Sequence, residues 1–396
     1  MESCIVFRDH LLTYSETWLL AQAGALKTFS PCYAGFSRIP GLPLPEDRTV
    51  TLAGRGAIGR LRTLAYRYTR FDPAFVRTLK KTRPALVHAH FEGGGLYALP
   101  LAAALGVPLI TTCHGIDVTE AEAPGPFPFK SALRRRRRRD LWRQGTLFIA
   151  VSRYIREKMI ARGYPEERTV VHYIGTDRAA FAEDPSIPRE PIILFAGRLV
   201  EKKGCEFLIR AFAHLQNDLP RAELVIIGDG PLRGALELLA SQTSPRIRFV
   251  GSLPPADVRA WMNRARVFCV PSVTAANGNS EGLPIVFCEA QAMGLPIVST
   301  RHAGIPEIVE DGKTGFLAGE RDPEAMAAGI LRLMTDDALW QEFSAASKRN
   351  TAERFDLAAQ TRRLEELYRD AIAAHAHART SGAAQPALES AALPLP

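Results

Sequence analysis

The sequence offers little for a covalent or metal framework. Its six cysteines (Cys4, Cys32, Cys113, Cys205, Cys269 and Cys288) are scattered along 396 residues, with no Cys-x-x-Cys pair. Most sit in apolar runs such as Val267-Phe268-Cys269-Val270. They read as buried thiols of a reducing cytoplasm, which excludes a disulfide scaffold or a thiolate zinc site. His88-Ala89-His90 puts two imidazoles on one strand face, but only Glu92 lies nearby at ligand spacing, so no metal is expected. No Asp-x-Asp occurs to hold a cation against phosphates. Met1-Glu2-Ser3-Cys4 lacks the basic start and apolar core of a signal peptide. The longest uncharged run, 93–113, opens with three glycines and is broken by Pro100 and Pro108, so no membrane span is expected.

What is present is ordinary globular composition, 46% hydrophobic and 23% charged, which excludes a disordered or fibrous chain. The length suits two domains, or three small ones. Lys and Arg total 50 against 42 Asp and Glu, for a net charge of +8. The excess is uneven: residues 1–190 carry 28 basic and 18 acidic side chains, whereas 191–396 carry 22 and 24. Six arginines stand in a row, from Arg134 to Arg139. The first half therefore either meets something anionic or carries a solubilising patch.

Short β-branched runs alternate with amphipathic helical stretches. Strands are expected at 4–7, 85–90, 107–112, 146–151 and 169–174, and again at 192–196, 223–227, 246–250, 267–270 and 297–299. The repeated βαβ pattern implies two α/β, doubly wound, Rossmann-like domains facing a cleft. The expected division is 1–181 for the first domain, 182–191 for a linker with three prolines, and 192–355 for the second. A helix over 356–375 returning to the first domain, then a disordered Ala/Pro/Ser tail over 376–396, completes it.

Two stretches of the second half suit anions. After the strand 192–196 come Gly197-Arg198-Leu199-Val200-Glu201-Lys202-Lys203-Gly204 and a helix. Arg198 and Lys203 at a strand–helix turn fit a diphosphate, as planar fork and point charge; an ordinary basic loop would read the same way. Further on, Glu281-Gly282-Leu283-Pro284 leads into a helix, with Pro284 expected as its first residue. The amides of Gly282 and Leu283 would emerge from a helix N-terminus, a natural anion site. Glu281 beside them would then face hydroxyls or developing positive charge, as a sugar supplies; otherwise Glu281 is a solvated loop acid and Glu289 a surface helix acid. Gly304-Ile305-Pro306-Glu307 is expected to begin another helix. Gly228-Asp229-Gly230-Pro231 departs from a dinucleotide fingerprint and reads as a turn.

Phe195-Ala196-Gly197-Arg198-Leu199 with Lys202-Lys203-Gly204, the Glu-x₇-Glu from Glu281 to Glu289, 291–300 and 304–307 together resemble glycosyltransferase family 4. The likeness covers nearly all of 85–375. It implies the two-domain GT-B fold and retention of anomeric configuration. By that resemblance Arg198 and Lys203 bind the donor diphosphate, Glu281 and the backbone of Gly282 and Leu283 lie at the donor sugar, and Glu289 holds ribose hydroxyls. Gly197 and Pro284 belong to the same donor motifs, and Gly251 and Leu253 lie where relatives contact the base through main chain. His114, of His114-Gly115-Ile116-Asp117, is similar to the family's histidine that reaches the donor sugar. His90, Asp117, Ser15 and Glu16 would lie on the acceptor side. The Ser15-Glu16-Thr17 start replaces a common Gly-Gly turn and is similar to a branch that includes colanic-acid and other exopolysaccharide transferases.

The resemblance implies a hexosyltransferase, independent of metal, using a nucleotide-sugar (a UDP-sugar, or GDP-mannose) and a glycan or polyprenyl-pyrophosphate-linked acceptor. A GT-B epimerase or phosphorylase is the enzymatic alternative, although no pyridoxal lysine signature is found. A non-catalytic basic protein binding membrane or nucleic acid would need none of Arg198, Lys203, Glu281 and Glu289. From 54 to 83 there are nine basic residues against one acid, Asp72. Leu61, Leu64, Tyr68 and Phe71 share a helical face there, and either pack into the core or, with Arg134–Arg139, rest on the inner face of the plasma membrane. Nucleic acid is not expected, since no recognised binding module accompanies the charge.

Overall fold

The computed structural model describes residues 1–13, 16–39, 41–53, 57–120 and 128–381. They form two compact units, one from residues 1–174 and the chain from Leu357 onward, the other from Gly175–Asp356. In chain order the strands of the first unit are β1 (Glu2–Phe7), β2 (His10–Leu11), β3 (Phe29–Gly35), β4 (Ser37–Arg38), β5 (Thr49–Thr51), β6 (Pro84–His90), β7 (Leu109–Cys113), β8 (Leu147–Ala150) and β9 (Thr169–Val171). Seven of them make a sheet ordered β5-β3-β1-β6-β7-β8-β9, parallel throughout, and β2 pairs only with β4. Strands β3 and β5 were not among the sequence expectations; Phe29-Ser30-Pro31-Cys32 hides its strand character behind a proline, which removes one ladder donor.

The second unit holds β10 (Ile192–Ala196), β11 (Glu223–Ile227), β12 (Ile247–Gly251), β13 (Val267–Cys269), β14 (Ile297–Thr300) and β15 (Gly315–Ala318). Their order is β12-β11-β10-β13-β14-β15, again all parallel. In each unit the sheet order reverses once, between β1 and β6 and between β10 and β13. Ligand groups collect outside the strand carboxyl ends at such points, because the flanking loops diverge to opposite faces.

The core of the first unit joins Val6, Tyr33, Leu86, Ile110 and Ile149 of the sheet to Leu364, Leu367, Tyr368 and Ala371 of the helix Leu357–Ser381. Glu365 of that helix fixes the turn before β3, accepting from the amides of Lys27 at 2.7 Å and Thr28 at 2.6 Å. The helix thus belongs to the first unit and runs past the expected end at 375; residues 382–396 of the expected tail lie outside the described residues.

The expected linker is a second difference. The chain passes between units at Ile174 and Gly175, not over 182–191. The proline-rich segment is fastened along the second unit, with Arg264 on Glu190, Arg189 on the Met262 carbonyl at 2.6 Å, and the Asp184 amide on Asn263 Oδ1 at 2.9 Å. Prolines remove backbone donors and stiffen a segment without freeing it, so a proline-rich composition does not by itself mark a linker. The stretch 304–307 forms a single 3₁₀ turn, Ile305–Glu307, rather than a helix. All six cysteines are buried as free thiols.

Leu367→Ala tests the allegiance of the last helix. Removing a fully buried leucine lowers stability by about 2–5 kcal/mol. Urea unfolding should show the loss in the transition of the first unit and leave the second unit's transition in place.

Candidate functional site

In the second unit the loops after β10 and β13 lie against each other at the reversal of sheet order. Gly204 adopts φ +60°, and a Cβ there would stand 2.0 Å from the Pro271 carbonyl oxygen, so only glycine permits the approach. The Val273 amide donates to the Lys202 carbonyl at 2.8 Å. The loop is held on its other side by the Leu199 amide on the Asp229 carbonyl at 2.9 Å.

This packing buries the carboxylate of Glu281 against Lys203 Nζ at 2.9 Å and Lys202 Nζ at 3.7 Å. Burial by itself raises such a carboxyl, but the Lys203 and Lys202 ammonium charges and the Lys203 hydrogen bond outweigh it and hold Glu281 at about 2. Burial lowers the pKa of Lys202, with Glu281 opposing and Lys203 and Arg198 adding to the fall. Arg198 itself is exposed and has no ion pair among the described residues. Two ammonium groups therefore share one carboxylate, with Arg198 exposed in the same loop, which leaves uncompensated positive charge at the strand end.

The amides of Gly282 and Leu283 meet no acceptor among the described residues, and they precede the helix Ile285–Ala292. Pro284 stands at the N-cap, with ψ 96°, not at the first helical position expected. Free amides at a helix N-terminus add to the anion-attracting field. On the next turn Glu289 is half-buried with no hydrogen-bond partner for its side chain among the described residues, and burial pushes its carboxyl up to about 7. Gly251 closes β12 with φ +74°, its carbonyl accepting from Gly228 at 2.8 Å, and Leu253 is half-buried just beyond. Gly197 follows β10, its amide held by the Ile227 carbonyl at 3.0 Å.

One contributor went unnoticed in the sequence. The buried His302 accepts the Glu281 amide at Nε2, 3.1 Å away, while its Nδ1 meets Glu320 Oε1 at 2.6 Å. A backbone amide can only donate, so the ring proton belongs on Nδ1 and points to Glu320. Glu320 also accepts from the Thr274 amide at 3.0 Å. This chain orients the backbone around Glu281; the pairing spans distant loops, and Arg301-His302 carries no local signal for it.

In the first unit, His90 ends β6 and His114 follows β7. His90 Nδ1 lies 3.1 Å from His114 Nε2, and Trp18 stacks on His114 with ring centroids 4.5 Å apart. Burial holds both imidazoles well below their ordinary pKa, so the bond joins neutral rings, one donating and one accepting. His88 is taken up by Tyr368 Oη and Thr112 Oγ1, each at 2.7 Å. Asp117 and Glu16 are turned inward rather than toward an acceptor. The Asp117 carboxylate accepts the amides of Glu92 at 3.0 Å, Gly115 at 2.9 Å and His114 at 3.1 Å. Glu16 pairs with Arg8 at 3.0 Å and accepts the Thr13 amide at 2.9 Å. Both therefore shape loops; Ser15 lies outside the described residues. Among the described residues no group of three or more His, Cys, Asp or Glu side chains is placed to hold a metal ion.

Two family models match, one described as Glycosyltransferase Family 4 over residues 36–180 and one as Glycosyl transferases group 1 over 190–336. A Salmonella typhimurium protein assigned as a colanic acid biosynthesis glycosyltransferase is 32% identical over 70% of this chain and 69% of its own length. The corresponding Escherichia coli protein is 34% identical over 63% of this chain, and the match spans 62% of that relative, less than two thirds. Among solved structures, Anabaena Alr3699/HepE in complex with UDP-glucose superposes with a TM-score of 0.74 at 21% identity, over 93% of this chain and 99% of that one. The fold is therefore GT-B.

The raised Glu289 predicts a stability signature. Its carboxyl holds a proton in the folded state that the unfolded chain releases near 4.5, so the unliganded protein loses stability as pH rises from there to about 7. Glu289→Gln should flatten that decline and raise stability at pH 8 by about 2–3 kcal/mol, read from urea unfolding across pH.

Proposed function

This chain belongs to glycosyltransferase family 4, and from that premise we propose that it is a retaining hexosyltransferase. It moves the sugar of a nucleotide-sugar to a glycan or polyprenyl-pyrophosphate-linked acceptor in exopolysaccharide assembly. The observation that carries the proposal is the cation-rich strand edge of the second unit, where Lys202 and Lys203 pair with Glu281, Arg198 stands exposed in the same loop, and the amides of Gly282 and Leu283 have no acceptor among the described residues. Such an edge stabilises a departing diphosphate without a metal. The bond from sugar C1 to the diphosphate oxygen breaks with its electron pair going to the phosphate. The acceptor hydroxyl oxygen bonds C1, and its proton ends on the departing diphosphate. Fixed cations and amides lower this barrier because they are oriented before charge develops.

In this reading the unpartnered Glu289 accepts ribose hydroxyls, Glu281 orients the donor sugar, and Gly251 and Leu253 flank the base. The UDP-glucose bound to the Anabaena neighbour supports a UDP-sugar, and a 29% identical GDP-mannose-dependent mannosyltransferase of Mycolicibacterium smegmatis supports GDP-mannose, so the donor panel includes both. In the first unit the bond from His90 Nδ1 to His114 Nε2 sets the orientation of the His114 ring. The protein works at the cytoplasmic face of the membrane that carries its lipid-linked acceptor; no helix among the described residues is long and apolar enough to cross a bilayer.

Nucleotide release from a panel of UDP- and GDP-sugars, with lipid-linked and soluble glycan acceptors, tests the proposal. Arg198→Ala is the cleanest variant, since that side chain is exposed and has no ion pair among the described residues, and it should slow release by about a hundredfold with stability unchanged. Lys203→Ala should lose at least as much rate, but also stability, because Glu281 would lose its main counter-charge. EDTA should leave the rate unaltered, and the product linkage should keep the donor's anomeric configuration. An absence of release from every donor and acceptor pair would sink the transferase reading.

A further inference from the structure

The first unit carries a surface that the transfer chemistry does not use. Ile58, Leu61, Leu64, Tyr68 and Phe71 are each at least half exposed, although leucine, isoleucine and phenylalanine are ordinarily core residues. On the helix Ala57–Thr69 the first four recur at intervals of three and four, which places them on one stripe. The opposite side of the helix meets the protein through Gly59 and Tyr66, whose hydroxyl donates to the Tyr97 carbonyl at 3.1 Å. The apolar stripe therefore faces outward, and the core-packing alternative left open by the sequence does not apply. Arg60 and Arg67 stand exposed beside it.

The arginine run adjoins this helix. It lies in the helix Pro128–Gln144, and two of its members are structural. Arg137 donates to the carbonyls of Arg67 at 2.9 Å and Tyr68 at 2.6 Å, satisfying the C-terminal end of the Ala57–Thr69 helix. Arg138 is buried on Glu92 at 2.7 Å, whose other oxygen accepts from Tyr164 at 2.9 Å. These two anchors leave Arg134, Arg135, Arg136 and Arg139 exposed, with Arg134 reaching Glu92 only at 3.9 Å. The Arg137 bonds to the Arg67 and Tyr68 carbonyls set the run against the end of the apolar helix; Arg137 and Arg136 add to burial in lowering the pKa of Arg70 there, with Asp140 and Tyr66 opposing. No acid occurs over 57–71 or 130–139.

We propose that this face is the docking surface for an anionic bilayer, the apolar stripe entering the headgroup boundary and the exposed arginines meeting lipid phosphates. The inference rests on the membrane reading of the preceding subsection and assigns it to particular residues. Charge and apolarity select the occupant together. Nucleic acid would use the arginines but not an aliphatic stripe. A second copy would oppose one arginine-rich face with another.

Flotation with vesicles tests the assignment, using the full chain, Arg134→Gln/Arg135→Gln/Arg136→Gln, and Ile58→Ser/Leu61→Ser/Leu64→Ser. All the changed side chains are exposed, and thermal unfolding at the parental midpoint verifies folding. The parent should float with vesicles containing phosphatidylglycerol at low salt, be released at high salt, and ignore pure phosphatidylcholine. The arginine variant should partition about a hundredfold less, and the serine variant at least about tenfold less. Failure of the parent to float overturns both the surface and the membrane reading. A parent that floats while both variants float equally well overturns the surface alone. Loss confined to the arginine variant, with a short DNA duplex displacing the vesicles, reassigns the face to nucleic acid. Conversion of a dimer to a monomer by the serine changes in sedimentation, with flotation unchanged, reassigns it to a second copy.

Discussion

A carboxylate taken out of water has to be met by opposite charge or it will protonate. Glu281 is met by Lys203 at 2.9 Å, and this contact, with the Val273 amide on the Lys202 carbonyl, joins the loop after β10 to the loop after β13. Everything else at the edge of the second unit follows from that closure. Gly204 is required because the loops come too close for a side chain. The Glu281 amide is turned to His302, and the next two amides, Gly282 and Leu283, have no acceptor among the described residues. Breaking such a buried pair typically costs about 3–5 kcal/mol, so the loops are held as a pair before any ligand arrives. The same contact consumes part of the positive charge and leaves Arg198 as the exposed remainder.

The first unit manages its charge differently. Its excess of arginine is partly internal: Arg138 neutralises the fully buried Glu92, Arg137 closes a helix end, and Arg8 compensates Glu16 while its guanidinium lies 4.2 Å from the Phe91 ring centre. Planar guanidinium suits these tasks because it stays charged when desolvated and bonds in several directions at once. The remaining arginines are gathered beside an outward apolar stripe. A run of six identical residues thus divides between fold and surface, according to which way each side chain leaves its helix.

Much of the second unit was legible in the sequence. The strand at 192–196, the basic turn after it and the Glu281 to Glu289 spacing are all local, and the physics that makes them recognisable is local too. Parallel strands buried on both faces show as continuous apolar runs. What escaped depended on distance along the chain. His302, Glu320 and Thr274 act on Glu281 from loops that no short motif links. Strand β3 was masked by its proline, and the proline-rich stretch 182–191 looked like a linker until Arg189, Asp184 and Glu190 were seen bonded along the second unit. Asp117 and Glu16, which the resemblance places on the acceptor side, bond instead to backbone amides and Arg8, because a sequence reports charge, not direction.

The α/β class, the two repeated units, the family likeness and the basic turn after β10 are therefore legible from local pattern. These rest on periodicity and on short spacings, which fold the same way wherever they occur. The tertiary structure alone decided which charges cancel, which amides stay free, and which face of the helix Ala57–Thr69 turns outward. Those outcomes depend on burial, and burial is set by neighbours that the chain brings together only when it folds. Hence Lys203 is paired while Arg198 is open, although both stand in the same eight-residue loop.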